Sequence, residues 1–444
     1  MIFRGKYIYP SLLQSLASPF SASTPQASVL NTLAPLALVL LTWVLLAGCG
    51  GEARTPDSIS GTNVTSGDNA NFGKNAGSVT DAAYGKDVSS GRDTRSGIDA
   101  GGGINGETES SLTIHDMLGR SVVIPADVRR VIGLRAGALR MLTYLDAVDL
   151  VAGIEEPERR SERPYLTAFP ELRDLPTVGP QMGGDPELLV AAAPDLIFLT
   201  FTSRGQADEL QERTGIPVIA LEYGDFSENR ENFFSSLRLM AEVIGKSGRA
   251  DTLIAGIRAS IAELKDRTTD ISDEDRPRAY IGGVSYRGAR GITSTEPHYP
   301  PLRFIQANNV AGGIHQRLIN PIQGTYIDRE QLIVWDPDVM FLDLFSLSTA
   351  GPDIRPGTPL ARSLTAVRNG EVYGVLPYNN YAANYEAILV NAWYAGTVLY
   401  PDRFDDITLS EKADQIFEMF FGRPIYTEIQ ARYGGYRRLN PEQL

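Results

Sequence analysis

Residues 186–221 read PELLVAAAPDLIFLTFTSRGQADELQERTGIPVIAL. Two apolar runs stand out, at 195–200 (DLIFLT) and 217–221 (PVIAL). Each is short, rich in branched or aromatic residues, and bounded by Pro or Gly, which marks a strand rather than a helix. Helical stretches are expected at 186–193 and 204–214. Strands that alternate with helices through short connections make a parallel sheet covered by helices.

The alternation extends in both directions. Upstream, 131–134 (VIGL) predicts a further strand and 137–145 a helix. Before them, 112–114 and 121–125 read as two short strands around the turn Asp116-Met117-Leu118-Gly119-Arg120. Downstream, residues 227–268 run helical. Leu237, Ala241 and Ile244 form one apolar stripe, and Leu253, Ile257, Ile261 and Leu264 form another, with a break at Lys246-Ser247-Gly248. After an acidic, Pro-containing stretch at 270–277 the pattern restarts. Strands are expected at 279–284, 339–344 and 372–376, and helices at 301–308, 328–335, 384–399 and 410–421. The fold expected is α/β: two Rossmann-like lobes, parallel sheets flanked by helices, at 112–246 and 271–444, joined by one long helix at 247–270.

The first 111 residues differ in kind. Residues 33–46 (LAPLALVLLTWVLL) are an apolar run of fourteen, shorter than the ~20 needed to span a bilayer and matching the core of a secretory signal. The sequence Leu46-Ala47-Gly48-Cys49 follows directly and resembles a bacterial lipobox, in which the cysteine receives a diacylglyceryl group. Residues 1–48 are therefore expected to be a lipoprotein signal peptide and Cys49 the lipidation site. Residues 49–111 are rich in Gly, Ser, Asp, Asn and Thr and poor in large apolar groups, so they read as a flexible tether.

The 444-residue chain carries 41 Lys+Arg against 54 Asp+Glu, a net charge of −13. That balance excludes general nucleic-acid binding, which needs basic surface to neutralise phosphates. The single cysteine excludes an intrachain disulfide and any Cys-based metal site. The histidines are three and widely spaced, at 115, 298 and 315, so a tight His cluster is not expected; His298, in a loop leading to a helix, is the one nearest the expected cleft. An enzyme is not expected either. There is no Gly-x-Ser-x-Gly nucleophile motif, and the adjacent acids Glu155-Glu156 read as a solvated loop pair rather than a glycosidase dyad.

Taken together, certain motifs resemble a family. The pattern Asp116-x-x-Gly119-Arg120-x-Val122-x-Ile124-Pro125, followed by Arg129-Arg130-Val131-Ile132, resembles the opening of substrate-binding proteins of ferric-siderophore, haem and vitamin B12 importers. Two echoed units strengthen the resemblance. They are Glu187-Leu188-Leu189-x(4)-Pro194-Asp195-Leu196-Ile197 and Glu330-Gln331-Leu332-x(3)-Asp336-Pro337-Asp338-Val339. It spans roughly 112–440 and implies that the bridging helix is rigid and that the ligand sits in a cleft between the lobes. It implies a monomeric, envelope-located carrier, lipid-anchored to a bacterial membrane. Such a carrier has no cofactor of its own and delivers an iron chelate to an ABC permease dimer with its ATPase. It also implies that Glu187 and Glu330, one on each lobe, pair with permease arginines. Cobalamin, haem and molybdate or tungstate remain alternative cargoes, and a sensor or adhesin ectodomain is an alternative use of the fold.

In βα lobes the ligand sits beyond the carboxyl ends of the strands. That rule nominates Arg135, Gln181, Thr202, Arg204 and Tyr223 in the first lobe. In the second it nominates Tyr286, Arg287, Arg290, Tyr326 and Phe345, with Tyr378 and Tyr381 at the start of the aromatic segment 373–400. Guanidinium forks suit an anionic ligand, and tyrosines suit either ferric ligation or stacking on a flat one.

Overall fold

The computed structural model describes residues 111–159, 162–180, 183–320 and 324–444. The signal peptide, Cys49, most of the tether and Gln181 lie outside the described residues. The chain starts with a hairpin, β1 (Ser111–His115) and β2 (Ser121–Pro125), paired antiparallel from Ser111↔Pro125 to His115↔Ser121. Its turn is closed by Asp116, whose carboxylate accepts the amides of Leu118 and Arg120 and the guanidinium of Arg120 at 3.0 Å.

The first lobe is built on a parallel sheet ordered β3 (Val131–Leu134), β4 (Leu196–Thr200), β5 (Val218–Leu221). All its strand residues are buried. Successive residues point to opposite faces, and each face has its own core. Leu196, Phe198 and Ile219 join the large cluster that runs through both lobes, whereas Ile197, Leu199 and Val218 pack with Leu189, Ala207 and Ile216 on the outer side. A strand buried on both faces needs continuous apolar sequence, which is what DLIFLT and PVIAL supply.

The second lobe carries a five-stranded sheet ordered β12 (Arg437–Arg438), β11 (Val372–Val375), β10 (Val339–Asp343), β6 (Arg278–Gly282), β8 (Asn308–Asn309). Its pairings are parallel except β11–β12. The two-residue strands β7 (Ser294–Thr295) and β9 (Thr325–Tyr326) pair beside it. These short strands and the helix Tyr426–Tyr433 have no strong periodic signal and were not anticipated.

The long helical stretch divides into Arg230–Val243 and Ser247–Asp266, with Gly245 at φ 70° in the connection. At 1.5 Å per residue the 20-residue second helix is ~30 Å long. It packs against Tyr385–Leu399 and Leu409–Phe421 of the second lobe. Helix Tyr385–Leu399 buries Leu389, Trp393 and Tyr394, as the helical spacing of its aromatics predicts. Among the described residues no helix is long and apolar enough to cross a membrane.

Candidate functional site

The segments that follow β3, β4, β6, β10 and β11 converge on a cavity of about 520 Å³ between the lobes. Its wall takes Arg135, Arg163 and Phe201 from the first lobe. From the second come Arg287, Phe345 and the loop Asn379–Ala382. Among the described residues three arginines are its only charged lining groups, in a chain of net charge −13. Low-dielectric walls lined by one sign of charge focus the field, an arrangement that favours anions, although Arg163 is paired with Glu158 behind the wall. Phe201 is 56% exposed and Phe345 44% exposed, both set in the wall. An exposed aromatic on each side of a cationic cavity suits a ligand that is both anionic and flat or ring-bearing.

The backbone here is strained. Among the described residues nine non-glycine residues have positive φ, and five of them line this cavity: Arg135 (66°), Phe201 (47°), Arg287 (52°), Tyr381 (56°) and Ala382 (64°). A left-handed L-residue costs roughly 1–2 kcal/mol. Such residues cluster where surrounding structure holds side chains in functional positions.

Glu155 lies behind the wall. The sequence reading made it a solvated loop acid; it is 1% exposed. Its carboxylate accepts the Arg135 amide at 2.9 Å, the Gly183 amide at 3.0 Å and the Tyr381 hydroxyl at 2.8 Å. Burial pushes the carboxyl of Glu155 up, opposed by those hydrogen bonds. The Arg163 guanidinium lies 4.2 Å from the Tyr381 ring centroid and forms a buried ion pair with Glu158. The Nε atoms of Arg135 and Arg163 are buried without a partner. In the second lobe Asp343 accepts the Ser285 amide and hydroxyl at 3.0 and 2.8 Å and the Phe345 amide at 2.9 Å. It thereby orders both loops, and burial pushes its carboxyl up to about 6.

A second cavity of about 310 Å³ shares Tyr286 and Asn379 with the first. It is lined by Asp225, Glu228, Glu296, His298 and Tyr378 and by no arginine or lysine. The Tyr286 hydroxyl donates to Glu296 at 2.5 Å. Among the described residues no group of three or more His, Cys, Asp or Glu is placed to hold a metal ion.

The nominated residues divide. Arg135, Tyr286, Arg287, Phe345 and Tyr381 line the main cavity. Tyr378 is buried and lines only the smaller one. The others lie elsewhere. Arg204 turns to the hairpin, donating to the carbonyls of Leu118 and Gly119 at 2.7 and 3.1 Å. Arg290 folds back on the Tyr286 carbonyl at 2.6 Å. Thr202 lines a shallow hollow beside Glu222. Tyr326 is half exposed in β9, outside both cavities. Tyr223 is 3% exposed, and its hydroxyl is taken by Arg140 and the Ala383 carbonyl. A short-range carbonyl captures each displaced arginine, which spacing along the chain does not show. Arg163, which precedes a Pro-initiated helix, carries no sequence signal for the cavity, whereas Phe201 lies directly after β4, in a loop that the strand-end rule covers.

Glu187 and Glu330 are both exposed, each in the first turn of a short helix, Pro186–Ala192 and Arg329–Trp335. Asp185 caps the first, accepting the Glu187 and Leu188 amides at 2.9 and 3.2 Å. Leu188, Val190 and Val334 on the same helices are exposed apolar side chains.

Residues 131–378 match the family described as periplasmic binding protein. The chain is 24% identical over 333 residues to the molybdate-binding protein MolA of Haemophilus influenzae, across 69% of this chain and 90% of that protein. The structure of MolA bound to molybdate superposes with a TM-score of 0.55 at 22% identity, covering 70% of this chain and 98% of MolA. A periplasmic solute-binding protein from Veillonella parvula superposes with a TM-score of 0.58 at 19% identity, covering 72% and 96%.

Proposed function

The chain belongs to the periplasmic binding protein family, the non-enzymatic solute-binding components of ABC transporters, and on that premise we propose that it captures an anionic iron chelate of the ferric-siderophore class in the interlobe cleft. The observation that carries this reading is the cleft wall: three arginines, no carboxylate, and an exposed phenylalanine on each side. Guanidinium forks match carboxylate or catecholate oxygens, and the rings cover the organic scaffold. Size favours a chelate over a bare ion. At roughly 30 Å³ per water-sized group, a five-atom oxyanion fills about 150 Å³, a minor part of about 520 Å³. Molybdate or tungstate is the second reading, favoured by the similarity to MolA.

In this reading the protein is exported and held to a membrane through a lipidated Cys49, with 49–111 as tether. Glu187 and Glu330 orient it on the permease dimer, and the ATPase drives release. Two separated negative points set register and on-rate more than affinity. Replacing both by alanine is expected to cut uptake while ligand affinity holds; unchanged uptake removes the docking role.

A thermal-shift panel tests the cargo: a ferric tris-catecholate, a ferric hydroxamate, haemin, cobalamin, molybdate and tungstate. A ligand at 100 times its Kd stabilises the fold by ~2.7 kcal/mol. A shift with a ferric chelate, lost in Arg287→Ala, supports the proposal. A shift with molybdate or tungstate alone installs the second reading, and no shift at all overturns both.

A further inference from the structure

Arg140 has no part in the reading above and lies in an unexpected place. It sits mid-helix in Ala138–Tyr144, among Leu139, Met141 and Leu142, and is 0% exposed. A buried guanidinium is costly unless its donors are satisfied. In Arg140 the Nε is buried without a partner, and the two terminal nitrogens are satisfied mainly from the opposite lobe. It donates to the backbone carbonyls of Asn380 at 3.1 Å, Tyr381 at 3.0 Å and Ala383 at 2.7 Å, and to the Tyr223 hydroxyl. The Tyr223 hydroxyl in turn donates to the same Ala383 carbonyl at 2.6 Å. The aromatic rings of Tyr165 and Tyr223 flank the guanidinium at 5.1 and 5.8 Å.

The segment it grips is the strained one. Tyr381 and Ala382 are consecutive left-handed residues, and neither is glycine. A pair of this kind persists only where its surroundings over-determine it. Two groups of the first lobe do so: Arg140 through the backbone, and Glu155 through the Tyr381 hydroxyl. Glu155 also accepts the amide of left-handed Arg135, on the facing wall of the same cavity. One buried carboxylate and one buried guanidinium therefore set the positions of Arg135 and Tyr381 relative to each other, across the two lobes.

We infer that Arg140 and Glu155 are positioning residues of the ligand cleft, holding the Asn379–Ala383 loop and the Arg135 backbone in their ligand-facing conformations before any ligand arrives. This rests on the cleft being the ligand site but not on the identity of the cargo. The alternative is that both are ordinary buried polar groups contributing only to global stability.

Residue-resolved amide exchange on the ligand-free full chain separates the two. Glu155→Gln is expected to speed exchange of the Arg135 and Gly183 amides about tenfold or more, leaving Phe198 in β4 and Phe341 in β10 unchanged. Arg140→Lys is expected to do the same at Asn384, whose amide closes the loop on the Tyr378 carbonyl at 2.6 Å. Where Arg140→Lys does not fold, Tyr223→Phe, which deletes one hydroxyl, tests the same grip at the same amide. Uniform acceleration of cleft and sheet amides, or no local change in either arm, overturns the inference. Because no ligand is present, that failure is distinct from a failure of the cargo panel.

Discussion

The strands and the loops just beyond their carboxyl ends are neighbours along the chain and opposites in physics. In β4 each of the five residues is buried, the backbone is regular, and apolar side chains fill both faces. One residue later Phe201 is left-handed and 56% exposed. The change recurs from β3 to Arg135, from β6 to Arg287 and from β11 to Tyr381. Stability is concentrated in the sheets; the loops hold strained backbone and the arginines that line the cavity. The cavity is built at the expense of local stability, and its loops are bonded to groups distant in sequence, such as Glu155, Asp343 and Arg140.

Three perturbations sharpen that contrast. The largest falls in the sheet. Phe198→Ala removes a fully buried ring from β4 and is expected to cost about 3–5 kcal/mol in urea unfolding. A loss below about 1 kcal/mol would mean that the sheet does not anchor the fold.

The second falls at the boundary, on Asp343. Burial raises its folded value from 3.8 to about 6. The unfolded chain therefore releases this proton at lower pH than the folded one. As pH rises from about 4 to 6, wild type should lose stability relative to Asp343→Asn, on the order of 3 kcal/mol across the window, with a plateau above it. Parallel stability curves for the two proteins would show that Asp343 does not titrate in this environment.

The smallest falls in a loop. Arg287→Gly relieves a left-handed residue and removes one cleft charge. Stability should rise by up to about 1 kcal/mol, while affinity for any anion found in the cargo panel falls. Both quantities moving the same way would break the proposed opposition between strain and binding.

The pattern of residues was enough to place the longer strands and most long helices, but not the two-residue strands or the helix Tyr426–Tyr433. Continuous apolar runs bounded by Pro or Gly located β3, β4, β5, β6, β10 and β11 to within two residues, because burial on both faces leaves no room for polar side chains. The Ser203–Gln206 capping box and Gly215 at φ 68° end the helix Arg204–Thr214 where the spacing predicts. The rule that ligands sit beyond strand carboxyl ends nominated loops that line the main cavity.

Which side chains face the cavity was not legible in the same way. Arg135 and Arg287 line it, Arg135 while donating to the Phe201 carbonyl; Arg204 and Arg290, equally placed by position, are drawn to carbonyls outside it. Glu155 reads as half of a surface acid pair and is instead a buried acceptor for both lobes. The lone arginine in the apolar helix Ala138–Tyr144 was the one available signal for Arg140, and its meaning depends on carbonyls some 240 residues away. Period and punctuation report how a segment is buried, a local property carried by many residues at once. The direction of one loop side chain depends on a single backbone φ and a single distant partner, and those exist only once the two lobes have met.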